Sequence, residues 1–428
     1  MAEPTNTPMP TAPPTPRSNS PAPPIPGASP SSITTLPLHP MSSLLSPALA
    51  HLPVIPSRLQ AASPAPTTTI TTTTTTKPRV LHLGSQVEHR RELYSEFATH
   101  HFDVVRPSWA EHERGAFAAA LREGRWGRFD AVLRCSWGVG GEMGPWDAEL
   151  VDLLPDSVRV FASVGAGCDG ADTKLLGERG IIYCGAGPAA AEAVAELALA
   201  MIISTFRTLT YPVLPSADKS APPTIASLLQ PHSLRGQVLG LVGFGNVGQQ
   251  IAHKCRAALG MHIAYHDVVE RKTGDDDDDG AAHYCDTLEA LYRKADCVVL
   301  CTPPPPSLSL SGAGRRRIVD EHTLWWFKPG ARLVSVAHGS LVDEDAVAEA
   351  LGEDRLSAVA LDEPRVSPRL QEVAGKNDCL LLTGRRAGDT AEAQAEFEEL
   401  GMRNIMAVLG GGGEALTPVN MQWVRKVR

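Results

Sequence analysis

The chain has 428 residues, of which 43% are apolar, and its formal net charge is -9. That length accommodates two domains with substantial cores. The acidic balance argues against a nucleic-acid groove, which needs Lys and Arg clustered on one face. No segment reaches the apolar length of a membrane span, because the best candidate, residues 189–204, is short and carries Glu192 and Glu196. The composition therefore predicts a soluble globular protein with a tail.

The cysteines are scattered, with no C-x-x-C pair and no histidine spacing typical of a zinc site. We interpret them as buried thiols in a reducing compartment, and we expect no metal. Cys297 and Cys301 fall within one apolar strand-like run, where core packing is the simplest role. The set is Cys135, Cys168, Cys184, Cys255, Cys285, Cys297, Cys301 and Cys379.

The N-terminal tail, residues 1–78, holds 19 of the 36 prolines, no aromatic residue and a single acid, Glu3. Such a segment cannot bury enough apolar surface to offset its conformational entropy, so we expect it to be disordered. A mitochondrial transit peptide is the functional alternative, because the tail is Ser/Thr-rich and nearly free of acids. Its few basic residues and its proline density argue against a long amphipathic helix.

Order is predicted to begin at residues 79–84, a short apolar run that ends in glycine. Strands and helices then alternate, which indicates parallel sheets with helices on both faces. A long helix over 189–209 is apolar almost all round and is expected to be buried between domains or subunits. The other expected strands are 131–133, 158–161, 181–183, 238–242, 261–265, 297–301, 332–336 and 357–361, and the other helices are 116–121, 249–259 and 391–409.

A glycine-rich cradle separates strand 238–242 from helix 249–259: Gly243-Phe244-Gly245-Asn246-Val247-Gly248. The first glycine permits the tight turn, the second lets backbone N–H groups approach a pyrophosphate, and the third lets helix pack on strand. The helix N-terminus adds partial positive charge for the phosphates. With Gly260 as the helix C-cap and a second strand following, the order predicts dinucleotide binding.

The acid Asp267 follows that second strand, 24 residues after Gly243. A carboxylate there accepts hydrogen bonds from an adenosine ribose and repels a 2'-phosphate, which favours NAD over NADP. Arg271 and Lys272 lie close enough in sequence to keep NADP as the alternative.

Two insertions interrupt this region. The acidic run Asp275–Asp279 indicates a solvated loop; a calcium site would need alternating ligands and a closing Glu. The segment 303–317 combines prolines, a Ser/Gly stretch and three arginines. It follows a strand of the cofactor sheet, so it could cover a bound nucleotide or simply form a surface loop.

Five segments of the chain carry distinctive motifs: SVRVFASVGAGCDGAD (157–172), LVGFGNVG (241–248), FKPGARLVSVAHGSLVDEDAV (327–347), ALDEPRVSPRL (360–370) and LLTGRRAGDTAEAQAEFE (381–398). Through these motifs, residues 79–428 resemble the D-isomer-specific 2-hydroxyacid dehydrogenase family. The resemblance implies two Rossmann-like, doubly wound α/β domains: a discontinuous substrate domain (79–190 and 386–428) around an NAD-binding domain (191–385). It also places Thr302, Pro303, Ala337 and Asp362 along the cofactor.

The catalytic positions implied by the resemblance are altered. The family's A-R-G motif reads Ala337-His338-Gly339, and its T-x-H-x-x-G motif reads Thr383-Gly384-Arg385-Arg386-Ala387-Gly388. The family's partner glutamate corresponds to Glu363, in a loop that is four residues short. Cation and imidazole have thus exchanged places, and the reach of Glu363 depends on the shortened loop.

Three interpretations remain open. In the first, the roles are exchanged, so that Arg385 supplies charge near the carbonyl, His338 supplies the proton in a protonated form, and Glu363 pairs with either. Alternatively the exchange abolishes turnover, because a guanidinium cannot act as an acid and an imidazole offers no bidentate clamp. Simple drift in a duplicated gene is the third.

For the substrate, the loop Val164-Gly165-Ala166-Gly167 resembles the family segment whose backbone N–H groups meet the carboxylate, although a glycine turn alone would explain it. Arg134 and Trp137 follow a neighbouring strand and could line the pocket or serve as surface charge and packed indole. The sequence predicts a cytosolic oxidoreductase acting on a 2-oxo or 2-hydroxy acid, homodimeric through helix 189–209. The alternative is an inactive NAD(H)-binding regulatory protein.

Overall fold

The computed structural model describes residues 77–135, 143–167, 170–209, 231–271, 282–303, 317–377, 379–411 and 413–424. All of these belong to one compact unit, Leu59–Arg428. The predictions for nearly all of the tail, for the run Asp275–Asp279, for Cys168, Lys272 and Trp137, and for most of segment 303–317 lie outside the described residues.

The first sheet is parallel, with five strands in the order β2-β1-β3-β4-β5. Its core strands are short and apolar, and β3 and β4 are almost fully buried, as a sheet covered on both faces requires. The strands are β1 (Arg79–Leu83), β2 (Asp103–Val105), β3 (Ala131–Arg134), β4 (Val160–Ser163) and β5 (Ile182–Cys184).

The second sheet is also parallel, with seven strands in the order β12-β11-β10-β9-β6-β7-β8. The strand order reverses between β6 and β9, which is where open α/β sheets bind ligands. The strands are β6 (Val238–Val242), β7 (His262–His266), β8 (His283–Tyr284), β9 (Cys297–Leu300), β10 (Ala331–Ser335), β11 (Leu356–Leu361) and β12 (Leu380–Leu382).

Helices connect these strands and cover the sheets. They are α1 (Arg91–Glu96), α2 (Arg114–Arg122), α3 (Ala148–Asp152), α4 (Thr173–Glu178), α5 (Ala191–Arg207), α6 (Asn246–Leu259), α7 (Leu288–Lys294), α8 (Glu321–Leu324), α9 (Glu344–Gly352), α10 (Pro368–Asn377) and α11 (Ala391–Leu409). Short 3-10 turns precede α2 and α5, and a π-helical turn, Phe97–His101, follows α1. The two parallel sheets with their helices confirm the predicted α/β fold.

Helix α5 lies between the two cores. Ala193 and Val194 belong to the apolar cluster of the first sheet, whereas Met201, Ile202 and Phe206 belong to that of the second. With its preceding turn the helix spans Gly187–Arg207, long and apolar enough by length and composition to cross a membrane, so the statement that no segment reaches that length was wrong. Of its most apolar window, 56% is buried inside the protein, as in the core helix of a soluble protein. Because these side chains already pack within one chain, the homodimer through this helix stays a prediction.

Helix α11 returns to the first sheet, where it packs on β3 and β4. The buried carboxylate of Glu398 accepts backbone hydrogen bonds of 2.8 Å from Glu88, His89 and Arg90. Further along, the buried Asn420 side chain accepts from Tyr183 N at 2.9 Å and donates to Ile181 O at 3.0 Å, beside β5. These contacts attach the C-terminal segment to the first sheet, while the domain boundaries at 190 and 385 stay a prediction.

Candidate active site

The candidate cofactor and catalytic residues follow the carboxyl ends of adjacent strands in the second sheet. Because all seven strands run parallel, these ends meet at one edge. The cradle follows β6 and Asp267 follows β7, while Thr302 follows β9. On the other side of the switch point, His338 follows β10, Glu363 follows β11 and Arg385 follows β12. The fold thus places six separate sequence signals along a single edge.

The three cradle glycines differ in what the protein itself requires of them. Gly243 has φ +97°, and a Cβ there would lie 2.9 Å from Thr302 Cβ. A Cβ on Gly248 would lie 2.4 Å from Gly243 O, so close packing of α6 against the turn excludes any side chain. A Cβ on Gly245 would meet nothing within 4 Å. The open space at Gly245, at the N-terminus of α6, fits a pyrophosphate approaching backbone N–H groups.

The carboxylate of Asp267 is held in place by backbone donors. Its Oδ2 accepts from Phe244 N at 2.8 Å and its Oδ1 from Val268 N at 2.7 Å. The Phe244 ring stacks on Tyr265, with centroids 4.0 Å apart. Asp267 is therefore fixed beside the cradle, and each oxygen keeps a lone pair for a ribose hydroxyl. Asn246 and Val247 begin α6; Asn246 is exposed and Val247 is half-buried.

The segment after β9 forms the other wall of the cradle. The Cys301 thiol lies 3.1 Å from Gly243 O and 3.4 Å from Val242 O. Burial, with the charge of Asp267 contributing, raises the pKa of this thiol to about 12, so it remains protonated and donates to these carbonyls. Thr302 is half-buried beside Gly243, and Pro303 is exposed. Sequence reasoning assigned Cys301 to core packing and missed its place in the cradle wall.

The imidazole of His338 caps the 3-10 turn Gly339–Leu341. Its Nδ1 accepts from Ser340 N at 3.1 Å and lies 2.8 Å from the Ser340 hydroxyl. When Nδ1 accepts this backbone N–H, the ring is the neutral tautomer with its proton on Nε2, whereas a protonated Nδ1 donates to the Ser340 hydroxyl. The protonated imidazole expected from sequence stays a prediction. His338 and the preceding Ala337 are half-buried.

Glu363 reaches the loop that carries His338 despite its own shortened loop. Its Oε1 accepts from Gly339 N at 2.7 Å. A Cβ on Gly339 would lie only 3.0 Å from the same oxygen, so the glycine keeps the approach open. Glu363 therefore binds the backbone directly after His338.

Asp362 organises the loop that carries Arg385. Its Oδ1 accepts from the Thr383 hydroxyl at 2.6 Å and from Arg386 N at 2.8 Å, and its Oδ2 accepts from Ala387 N at 3.0 Å. Between these anchors Arg385 has φ +60°, a left-handed conformation that costs a non-glycine residue about 1–2 kcal/mol. Three bonds to a carboxylate that is only 5% exposed hold the exposed Arg385 in this conformation. The sequence predicted Asp362 as a cofactor contact and missed its hydrogen bonds to the loop of Arg385. Thr383, which matches the family motif, was the one local signal for these bonds.

The first sheet meets this edge through one apolar cluster. Val164, after β4, and Ala387, after Arg385, both belong to it, and Val247 and Val336 pack against it. Gly165 is half-buried, whereas Ala166 and Gly167 are exposed. Arg134, at the end of β3, is half-buried with its guanidinium close to Gly170. The predicted substrate loop thus follows strand β4, and the apolar cluster beside this loop also contains residues from the cofactor edge of the second sheet.

The sequence led us to expect no metal and buried thiols, and both expectations can be compared with the residues that the structure describes. Among them, no group of three His, Cys, Asp or Glu side chains could hold a metal ion. The cysteines that the structure describes form no disulfide with one another, and all are buried except Cys301, which is half-buried.

Comparisons with known proteins extend this description. Residues 200–382 match the model of the D-isomer-specific 2-hydroxyacid dehydrogenase NAD-binding domain. The solved D-mandelate dehydrogenase of Rhodotorula graminis, in its holo form, is 34% identical with a TM-score of 0.69, over 80% of this chain and 98% of that one. The 4-methyl-2-oxopentanoate reductase A of Aspergillus oryzae is 26% identical over 337 residues, 78% of this chain and 96% of its own length.

A third relative is the NADPH-dependent glyoxylate/hydroxypyruvate reductase of Sinorhizobium meliloti, solved with NADP and malonate. It is 26% identical with a TM-score of 0.61, over 82% of this chain and all of that one. Together, fold, cradle and relatives define an oxidoreductase that acts on CH–OH donors with a nicotinamide cofactor. The chain belongs to the D-isomer-specific 2-hydroxyacid dehydrogenase family.

Proposed function

We propose that the protein reduces a 2-oxo acid reversibly with NADH, using an exchanged pair of catalytic side chains. This proposal rests on one observation. A single sheet edge carries the open cradle at Gly245, the backbone-held Asp267, His338 and Arg385. Bound NADH would supply the hydride. The chain's own residues must then hold the substrate carboxylate, stabilise the developing alkoxide and deliver a proton.

Arg385 carries the positive charge in this proposal. A guanidinium stays protonated at every working pH, so it stabilises an oxyanion or clamps a carboxylate but cannot donate the proton. Its left-handed backbone, held by the bonds of the flanking residues to Asp362, restricts where the side chain can project. The backbone N–H groups of Val164–Gly167 and the guanidinium of Arg134 are proposed to receive the substrate carboxylate.

His338 presents Nε2 for substrate, because Nδ1 is occupied by Ser340 N. As the neutral tautomer it donates a hydrogen bond that polarises the carbonyl. Delivery of a full proton requires the imidazolium, and Nδ1 must then turn away from the Ser340 N–H. The proposal therefore requires this ring to take up a proton for each reduction.

The cofactor is proposed to be NAD. Support comes from Asp267, whose fixed carboxylate would repel a 2'-phosphate. Arg271 is exposed a few residues further on and keeps NADP as the alternative. A cytosolic location and a homodimer are likewise proposed, with mitochondrial import as the alternative for the location.

A second candidate function is NAD(H) binding without turnover. It is favoured by the same geometry: the place of the family's acid holds an arginine, and Nδ1 of His338 lies 3.1 Å from the backbone nitrogen of Ser340. In that case NAD(H) bound in the cradle would change the protein's interaction with a partner, and no substrate would be converted.

One experiment separates the two functions. Purified protein is incubated with NADH or NADPH and a panel of aliphatic and aryl 2-oxo acids, and nicotinamide absorbance is followed beside NADH binding. The variants are Arg385→His, the double exchange His338→Arg/Arg385→His, and Arg386→His as a control on the exposed neighbour. We expect the wild type to turn over and Arg386→His to match it. NADH binding without oxidation by the wild type would overturn the proposal, and activity confined to the double exchange would identify a decayed enzyme.

A further inference from the structure

A cavity of about 330 Å³ lies at the edge of the seven-stranded sheet opposite to the cradle. Its wall includes Gln237, Asp296 and Ala331, which lie at the amino ends of β6, β9 and β10. Thr205 and Thr208, from the end of α5, close one side. The five residues of β10 span about 17 Å, so this cavity is separate from the cradle at the carboxyl edge.

Arg332 is the unusual residue of this cavity, because it is only 7% exposed. Its guanidinium lies 4.0 Å from the centroid of the Phe206 ring, and its Nε donates to Thr205 O at 3.3 Å. Among the residues that the structure describes, no carboxylate forms an ion pair with it, and its two terminal nitrogens have no hydrogen-bond partner. Those nitrogens are not among the fully buried atoms, and Arg332 is one of the residues that line the cavity.

The acid of the cavity wall, Asp296, acts on Arg332 as a nearby charge that raises its pKa, but the two form no ion pair. Asp296 accepts from Lys328 Nζ at 2.7 Å and from Val238 N at 2.8 Å, so both of its oxygens are engaged. Lys328 and Asp296 cancel, which leaves the charge of Arg332 in excess, with His232 also in the wall. Burial lowers the pKa of Arg332, as expected for a charge taken out of water. A buried charge without a counter-ion is costly, and the stacked Phe206 ring compensates only part of that cost.

We propose that this cavity binds a small oxyanion, a phosphate ester or a polycarboxylate, through the terminal nitrogens of Arg332. A guanidinium fits two oxygens of such a group at once, and Lys328 offsets the negative charge of Asp296 at the rim. The volume exceeds that of inorganic phosphate and falls at the lower end of the range for small-molecule sites. The ligand is therefore of metabolite size.

Binding of inorganic phosphate and of citrate is measured by isothermal titration calorimetry on the full chain, at constant ionic strength maintained with sodium chloride. We expect saturable binding of at least one anion. The anion that binds more tightly shows whether the ligand is a phosphate ester or a polycarboxylate. Arg332→Met, which keeps apolar contact with Phe206, should weaken that binding at least about tenfold, and Arg332→Lys less. Arg355→Met is the matched control, because Arg355 stacks on Trp325 at 3.4 Å but lies outside the cavity.

The variants also exclude the cofactor edge as the binding place, since an anion bound at the cradle would not respond to Arg332. Absence of saturable binding by the wild type would overturn the proposal. So would equal affinities in the wild type and Arg332→Met. Should the buried substitutions prevent folding, Lys328→Met at the half-exposed rim keeps the test decisive: weaker binding supports the site, and unchanged binding refutes it.

Discussion

The carboxylate of Glu363 accepts a 2.7 Å hydrogen bond from the backbone N–H of Gly339. The bond joins the loop after β11 to the loop after β10, where His338 lies. A glutamine at 363 can still accept this bond but carries no charge, whereas an alanine leaves the N–H without its partner. The pair of substitutions therefore separates the electrostatic from the structural contribution of this side chain.

For Glu363→Gln we expect a free energy of unfolding within about 0.5 kcal/mol of wild type, and at least about a tenfold lower kcat with NADH and the preferred 2-oxo acid. Glu363→Ala should in addition lose about 1 kcal/mol of stability, because the half-buried Gly339 N–H loses its acceptor. Urea unfolding and steady-state kinetics measure both. Unchanged kcat in Glu363→Gln would mean that the charge has no part in turnover.

The cradle glycines should respond differently to the same substitution. Gly248→Ala places a Cβ 2.4 Å from Gly243 O and should lower stability by about 1–3 kcal/mol through overpacking. Gly245→Ala meets no protein atom within 4 Å, so its melting temperature should stay at the wild-type value. Its NADH affinity, measured by fluorescence titration, should nevertheless fall at least about tenfold, because the methyl group occupies the space needed by the pyrophosphate. Equal NADH affinity in Gly245→Ala would place the phosphates elsewhere.

Asp362 should be both a stability residue and a positioning residue. Asp362→Asn replaces one accepting oxygen by an NH₂ group that faces backbone donors, which should cost about 2–3 kcal/mol. Because Arg385 then loses its fixed left-handed backbone, kcat should fall while NADH affinity changes less. Thr383→Val removes a single bond and serves as the graded control, expected at about 1 kcal/mol. Loss of stability with unchanged kcat would limit Asp362 to a structural role.

The buried His82 should make stability depend on pH. Its Nδ1 lies 2.6 Å from the Tyr94 hydroxyl and its Nε2 3.0 Å from Ser85 O, and burial lowers its pKa from 6.5 to about 4. Between these values the unfolded state binds the extra proton, so stability is complete above about pH 6.5 and is lost as the pH falls towards 4. The full loss is about 3 kcal/mol.

Urea unfolding at pH 7.0, 6.0 and 5.0 measures this dependence. His82→Gln should be less stable at pH 7 but should show a weaker slope with pH. His101→Gln, at a histidine whose side chain is 41% exposed, should keep the wild-type slope. The same slope in His82→Gln would show that other groups cause the acid sensitivity.

Glu398 should anchor α11 to the first sheet. In Glu398→Gln the amide NH₂ group faces at least one of the backbone donors from Glu88, His89 and Arg90, so we expect a loss of about 2–3 kcal/mol. Glu392→Gln, at an exposed position of the same helix, should change stability by less than about 0.5 kcal/mol. Differential scanning calorimetry compares the two, and equal melting temperatures would contradict the anchoring role.

Local patterns predicted most of the described strands and the three longest described helices. Strand β6 and helix α11 begin and end where the sequence indicated, and β7, β9, β10 and β11 differ by one residue at one or both ends. The short strands β2, β8 and β12 were missed, because two or three residues carry no periodicity of their own and pair only where a neighbouring strand is present. Helix α6 begins three residues earlier than expected, since Asn246 and Val247 of the cradle already form its first turn.

The sequence by itself determined the α/β fold and the glycine cradle with Asp267, because these depend on residue type and on spacing along the chain, while the exchange of His338 and Arg385 stays a prediction. Only the tertiary structure decided the contact of His338 with Ser340, the triple anchoring by Asp362 and the absence of an ion pair at Arg332 among the described residues. Each of these depends on which donor, acceptor or ring approaches the side chain in space. The packing of strands and helices sets that approach, and no local pattern records it.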